Sequence, residues 1–355
     1  MQDTSAQQSP TGVPRVSAVV LAWGAEPLLR RSVEALLASV KVDVDVVLVD
    51  NGCTTDDVTA LRDVAGVTVV GEGHNVGFSA GCNIGVAASD GEYVALINGD
   101  AVVEPTTLAR LVEELADPGV GIAAGAVRLA DEPDLLNSRG NEVHVLGLSW
   151  IGGFRERETR SEPTETAGAM GACLVTRRTH WDRLDGFDPH YFAYHEDADL
   201  SIRTWRTGLR VVNVPDAVAL HRYEFSRNSF KFYLVERNRV MFVVTLWGAR
   251  SLVLLGPPLL ALEFAMLALA ARQGWLKDKL RGYRWLWQHR GHLRQRRARL
   301  QAERTVPDRI WMRVLTDRLD TPLINPPGTP VFNAAMSAYW RLVRRQTQRL
   351  SLIHI

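Results

Sequence analysis

Short stretches of this chain hold the side chains best suited to chemistry. VDNG (49–52) sets a carboxylate and an amide just past an apolar run. Asp50 there can accept from the imide N–H of uracil or thymine, and Gly52 permits a tight turn. HNVGFSAGCNIG (74–85) offers Asn75 as a side-chain partner and glycines at 77, 81 and 85 that let backbone approach a ligand. NGD (98–100) follows a wholly apolar stretch, so Asn98 and Asp100 project from its end. A carboxylate in that place suits Mg²⁺ or Mn²⁺, hard cations shared between a few protein oxygens and substrate phosphates. HEDADLSIR (195–203) gathers Glu196, Asp197 and Asp199 at a helix start. One acid is enough to cap a helix; three repel one another unless a cation or a proton-transfer role offsets the cost. His221 closes another apolar run and is a candidate metal ligand. Each stretch also has a plainer reading: an Asx turn at 50, a small-faced packing helix at 79–89, a common NG turn at 98, and a surface histidine at 221.

These residues need elements to hold them. VSAVVLA (16–22), VDVVLV (44–49), VTVV (67–70) and EYVALI (92–97) read as short strands. Between them PLLRRSVEALLAS (27–39), TTDDVTALRDV (54–64) and SAGCNIGVAAS (79–89) read as helices. A helix follows Pro105, with Leu108, Leu111, Val112 and Leu115 on one face. Strands alternating with helices imply a mostly parallel, doubly wound α/β sheet, with ligands at the carboxyl ends of its strands. Asp50 and Asp100 both fall at such ends. Residues 128–165 are polar and glycine-rich and read as loop with a weak strand or two. ACLVTR (172–177) and 211–221 return to strand, and DADLSIRTWRTG (197–208) is a helix closed by Gly208.

The order of these motifs, over residues 16–245, resembles the family-2 glycosyltransferases, which have the GT-A fold. The resemblance runs through VSAVVLAWG, VDNG, HNVGFSAGCNIG, GEYVALINGD, GAMGACLVTRR (168–178), GFDPHYFAYHEDADLSIR (186–203), VPDAVALH (214–221) and ERNRV (236–240). It is closest to the rhamnosyltransferase-like branch of bacterial envelope and polysaccharide enzymes. That resemblance implies that Asp50 reads the pyrimidine base, that Asn75 and Gly77 line the nucleotide pocket, and that Asn98 joins them in holding the donor. Asp100 takes the place of the last Asp of the DxD motif and holds a divalent cation, and His221 matches a second metal position. Asp197 is implied as the catalytic base, with Gly171, Ala172 and Glu196 at the acceptor site. Where the family usually has Tyr-Asn after the first strand, this chain has Trp23-Gly24, and the first acid of DxD is Asn98. The implied reaction is inverting transfer from a UDP- or dTDP-sugar, dTDP-rhamnose among them, to a lipid-linked or cell-envelope glycan. A sugar nucleotidyltransferase would share the core and the metal but leave the acid-helix-His succession unexplained. An inactive nucleotide-sugar-binding protein would not need both Asp100 and Asp197.

Composition bounds the remainder. The 355 residues carry 41 basic and 40 acidic side chains, a balance that argues against a dedicated nucleic-acid binder. Cys53, Cys82 and Cys173 lie far apart, so no disulfide framework is expected and a reducing, cytosolic setting is the simplest expectation. Residues 1–14 are expected to be a disordered leader without a signal-peptide core, 15–235 the GT-A domain, 236–305 apolar and basic membrane-associated helices, and 306–355 a tail. Within the helices, 242–271 is almost wholly apolar, interrupted by Pro257-Pro258 and Glu263. It reads as a hairpin lying in the inner leaflet, followed by a basic run from Lys277 to Arg304 that attracts anionic lipid. The expected place is the cytoplasmic face of the membrane, peripheral or monotopic.

Overall fold

A computed structural model describes residues 12–222, 229–322 and 328–349; the expected leader lies, up to residue 11, outside them. In chain order the elements are β1 (Arg15–Gly24), α1 (Leu29–Leu37), β2 (Asp43–Cys53), α2 (Asp57–Leu61), β3 (Val67–Val70), α3 (Phe78–Ala87), β4 (Tyr93–Asn98) and β5 (Ala101–Val103). There follow α4 (Thr107–Glu114), β6 (Val120–Leu129), β7 (Leu136–Ser138), β8 (Asn141–Val143), β9 (Ser149–Ile151), β10 (Thr164–Glu165), β11 (Cys173–Arg177), α5 (Arg178–Leu184), α6 (Glu196–Arg206) and β12 (Arg210–His221). The chain continues with α7 (Ser229–Leu246), α8 (Ala249–Gln273), α9 (Leu276–Gln288), α10 (Arg290–Glu303), α11 (Asp308–Trp311) and α12 (Thr329–Arg349).

The main sheet runs β10-β12-β6-β11-β4-β1-β2-β3. β4, β1, β2 and β3 are parallel, β11 is antiparallel to both its neighbours, and β6 and β12 are again parallel to each other. Side chains alternate between two layers, as a strand buried on both faces requires. Ala18, Val20, Val46 and Leu48 enter one core with Leu29, Val33, Leu36, Leu108 and Leu111 of α1 and α4. Val19, Val47 and Val49 enter the other with Cys82 and Val86 of α3, Ile202 of α6, and Phe242, Trp247 and Leu255 from the C-terminal helices. Two of the glycines read as ligand-approach positions are packing residues instead. A Cβ on Gly85 would lie 2.3 Å from Val19 Cγ1, and one on Gly81 2.7 Å from Leu21 Cδ2, so α3 lies flush on the sheet.

The structure departs from the sequence reading in several places. β2 continues past residue 49 to Cys53, because Gly24 of β1 pairs with Cys53 beyond a bulge. The stretch 128–165 holds β7, β8, β9 and β10. Pro257 and Pro258 do not break a hairpin; both lie inside the single helix α8. Pro258 cannot donate to the Leu254 carbonyl, and the Tyr339 hydroxyl of α12 does so instead, at 2.6 Å. Glu263 faces inward, 2.9 Å from Lys279 and also paired with Arg239 and Tyr283. Lys279, expected to face lipid, is buried against Glu236 at 2.6 Å.

Candidate active site

β4 delivers Asn98 at its carboxyl end, and β12 delivers His221 at its own. Asp100 follows β4, and its Oδ1 lies 3.1 Å from His221 Nε2. Asn98 Nδ2 is 3.5 Å from the same ring nitrogen. His221 Nδ1 pairs with Asn137 Oδ1 of β7 at 2.8 Å, so a residue from the supposed loop stretch fixes the ring. Asn98 Oδ1 is buried and has no hydrogen-bond partner among the described residues. Leaving such an oxygen unpaired costs roughly 1–3 kcal/mol. Asp100 Oδ1 and the His221 imidazole therefore meet at the strand ends with the Asn98 amide beside them, a carboxylate and a ring nitrogen that fit a divalent cation.

Gly171 and Ala172, the residues expected at the acceptor site, connect this group to α6. The Asn98 backbone N–H donates to Ala172 O at 3.1 Å. The next residue back, Gly171, donates its N–H to Asp197 Oδ2 at 3.2 Å. Gly171 and Ala172 are buried, so two consecutive residues join the strand-end cluster to the helix-start carboxylate. Asp197 Oδ2 also accepts from Asn141 Nδ2 of β8 at 2.9 Å, and Oδ1 from Ala198 N–H at 2.7 Å. Burial pushes the Asp197 pKa up, and these three donors hold it down in part. Glu196 is buried with its Oε2 unpartnered among the described residues; burial, then the charge of Asp197, raises its pKa well above the carboxylate range. The third acid, Asp199, needs neither cation nor proton: Arg203 at 2.7 Å and Arg296 at 2.6 Å neutralise it, and Tyr191 OH donates to it at 2.9 Å.

The segment before α6 is strained. Phe192, Tyr194 and His195 all have positive φ (64°, 71° and 73°), each costing on the order of 1–3 kcal/mol in a non-glycine residue. The ERNRV motif on α7 holds them. Asn238 Nδ2 donates to the carbonyls of Tyr191, Ala193 and Tyr194 at 2.7–3.0 Å, and Arg237 to those of His190 and Tyr191. The same loop caps α3, where Phe192 O accepts from Ser79 N–H at 3.1 Å. Gly77 at that helix start has φ 88°, and a Cβ there would lie 2.6 Å from Phe192.

Of the residues expected to hold the nucleotide, Asp50 lies within β2, and its Oδ1 accepts from Gly52 and Cys53 N–H at 3.2 and 3.1 Å, the Asx arrangement. Gly73 N–H reaches Asp50 O at 3.3 Å, so the 71–77 loop folds over this strand end. Asn75 Oδ1 accepts from Gly77 N–H at 2.8 Å. Asn51, the amide of VDNG, is buried and ties the loop down by accepting from Val76 N–H at 2.9 Å. Trp23 stands 63% exposed at the end of β1.

A separate group, Asp188, His190 and His292, brings three metal-type ligands together between the pre-α6 loop and α10. Arg296 donates to the same Asp188 carboxylate at 2.7 Å, and that charge already answers the carboxylate and opposes a cation. Sequence reasoning missed Asn137, Asn141 and Arg296 as site supports; no periodicity or motif marks them.

Comparison with known proteins follows the same lines. Residues 17–184 match the model of Glycosyl transferase family 2. The chain is 29% identical over 230 residues to an N-acetylglucosaminyl-diphospho-decaprenol L-rhamnosyltransferase of Mycobacterium tuberculosis, covering 57% of this chain and 74% of that protein. It is 28% identical over 238 residues to an O-antigen biosynthesis protein of Myxococcus xanthus, covering 61% of this chain and 18% of that one. Among solved structures, GalNAc-T7 with UDP, GalNAc and Mn²⁺ aligns at TM-score 0.56 and 17% identity, over 67% of this chain and 49% of that one. A mannosyltransferase of Pyrobaculum calidifontis in complex with GDP-Man and Mn²⁺ aligns at TM-score 0.50 and 21% identity, over 84% and 88%.

Proposed function

Since this chain is a family-2 glycosyltransferase of the rhamnosyltransferase-like branch, built on the GT-A fold, we propose that it transfers a sugar from a UDP- or dTDP-sugar to a lipid-linked or cell-envelope glycan, inverting the anomeric centre. dTDP-rhamnose is the donor we favour, because the mycobacterial relative is named for rhamnosyl transfer. The observation that carries the reading is the cluster of Asp100, His221 and the unpartnered Asn98 Oδ1, joined through Ala172 and Gly171 to Asp197.

A divalent cation, Mg²⁺ or Mn²⁺, held by Asp100 and His221 with Asn98 beside it, would supply charge neutralisation for the donor's diphosphate as it leaves. Asp50, Asn75 and Gly77 place the nucleotide at the ends of β2 and α3. Gly171 and Ala172 form the floor on which the acceptor hydroxyl lies. Asp197 takes the proton of that hydroxyl while its oxygen bonds to the anomeric carbon and the bond to the diphosphate oxygen breaks. A positioned base of this kind typically contributes about 10²–10⁴-fold. Burial raises the Glu196 pKa, which favours a neutral carboxyl over a second negative charge beside the base. One displacement on one face inverts the centre, and no carboxylate nucleophile is needed.

The acceptor's place follows from α8. Its outward stripe, Val253, Leu260 and Phe264, is 76%, 61% and 69% exposed and wholly apolar. We place that stripe in the cytoplasmic leaflet, with Arg272, Lys277, Arg284 and Arg294 exposed toward anionic headgroups. A panel of UDP- and dTDP-sugars, turned over by the full-length protein with and without Mn²⁺, tests the whole reading. Asp100→Ala should abolish turnover while the folded spectrum is kept. Full activity of that variant, or in EDTA, would overturn the metal assignment.

A further inference from the structure

Asp197 is held from a direction that no motif announces. We propose that Asn141 of β8 is the positioning residue of the base, saturating Asp197 Oδ2 so that Oδ1 is the oxygen that receives the acceptor's proton. The inference rests on Asp197 being the base. A carboxylate oxygen offers two lone pairs. Both on Oδ2 are occupied, by Asn141 Nδ2 at 2.9 Å and Gly171 N–H at 3.2 Å. Oδ1 accepts only from Ala198 N–H at 2.7 Å among the described residues, which leaves it one lone pair.

The orientation of the Asn141 amide follows from its partners. Nδ2 donates its second hydrogen to Ala169 O at 3.3 Å. Turning the amide over would set its oxygen against a carboxylate and a carbonyl together, so only one orientation is tolerated. The backbone is fixed as firmly. Asn141 N–H reaches Gly168 O at 2.6 Å, and Gly168 N–H reaches Asn141 O at 3.0 Å. The bridge binds Asn141 to the 168–171 turn, so both donors to Oδ2 move as one body. Ser201 completes the frame: its hydroxyl donates to Asp197 O at 2.7 Å and accepts from Ala169 N–H at 3.0 Å.

The ionisable groups around Asp197 are few. Glu196 and Asp199 stand on its own helix, the latter already paired with Arg203 and Arg296. From α3, Cys82 lies near Glu196, and Phe78 near Gly171 is uncharged. β8 and the 168–171 turn bring neutral donors. Removing Asn141 therefore removes a donor from the ionised carboxylate without altering a neighbouring charge, and the protonated form gains.

The test uses the full-length enzyme with its donor and acceptor. Asn141→Ala should lower kcat roughly 10- to 100-fold, as expected for losing a hydrogen bond to a charged group, and keep the donor KM within about twofold. The acid limb of its kcat–pH profile should move to higher pH, and Asn141→Asp, isosteric but anionic, should move it further. In an Asp197→Asn background, Asn141→Ala should add little, because the two act as a unit. A fall in kcat with an unmoved acid limb, or a full multiplicative loss in the double variant, would overturn the positioning role. Wild-type turnover by Asp197→Asn alone would remove the base reading itself, and that variant carries Asn141 intact, so the two failures are read separately.

Discussion

Glu263, midway along the apolar helix α8, lies 2.9 Å from Lys279, which comes from the basic stretch on α9. Two features that read separately as membrane signals thus answer each other inside the protein. The pair, with Arg239 and Glu236, pins the inner face of α8 to α7 and α9, and the outer face stays exposed. At 25 residues and about 1.5 Å per residue, α8 is roughly 38 Å long. It is long enough to span a bilayer, but its midpoint is tethered by charge to the catalytic body.

The outer face should therefore carry membrane binding. Replacing Val253, Leu260 and Phe264 with Ser removes apolar side chains worth on the order of 1.5–3 kcal/mol each when fully buried. The triple variant should leave sedimenting vesicles for the supernatant with its donor hydrolysis unchanged. Vesicle binding equal to that of the parent would show that α8 does not face lipid.

Basic residues on α10 should divide by burial. Arg296, which pairs with Asp188 and Asp199, holds a structural knot, and Arg296→Gln should cost about 3–5 kcal/mol in a urea melt. Arg294 is exposed, and Arg294→Glu should stay within about 0.5 kcal/mol of the parent. Only the second variant should weaken binding to anionic vesicles while the protein remains as stable as before. Equal stability losses would contradict the division.

The clamp on the strained loop is open to a similar test. Asn238→Ala removes the side-chain donor to the Ala193 and Tyr194 carbonyls, while Tyr191 O keeps Arg237, and should lower stability by about 2–3 kcal/mol. Because the loop launches α6, kcat should fall as well. A lowered melting temperature with unchanged kcat would limit Asn238 to holding the fold.

Acid should unfold the protein through three buried histidines. Burial pushes His144, His180 and His195 down to about 4. Unfolding returns them to about 6.5, so between those values the unfolded chain binds more protons and stability falls with falling pH. The contribution is intact above about pH 6.5 and shrinks by roughly 3 kcal/mol per histidine by pH 4. Urea midpoints measured at pH 7, 5.5 and 4.5 should decline in that order. A flat series would mean that these rings stay accessible to protons in the fold.

Much of the candidate site is legible in the sequence because its polar residues stand where apolar runs stop. Asn98 closes β4 and His221 closes β12; β6 and β11 stand between those strands, and it is β5, pairing Ala101 with His221, that brings the two ends together. The acid-rich start of α6 was legible too, although Asp199 proved to be a partner of arginines rather than part of the chemistry. Composition could not say which way a charge faces. Lys279 and Arg296 read as lipid-facing, and both are buried against carboxylates, Arg296 against Asp199 across 97 positions of chain. Gly81 and Gly85 read as ligand contacts because glycine spacing serves close packing and close binding equally well. Asn137 and Asn141 stand in a polar stretch with no period, and only the folded sheet shows what they touch.

Those two asparagines limit how this enzyme can be re-engineered. The segment from Leu136 to Val143 reads in the sequence as an exchangeable polar loop, a place to splice in another enzyme's acceptor preference, but in the fold most of it is buried. One of its side chains steadies the histidine beside Asp100, and another grips the Asp197 carboxylate. A chimera that swaps the segment while discarding both amides changes the machinery along with the substrate. The workable graft keeps positions 137 and 141 and varies what lies between and beyond them.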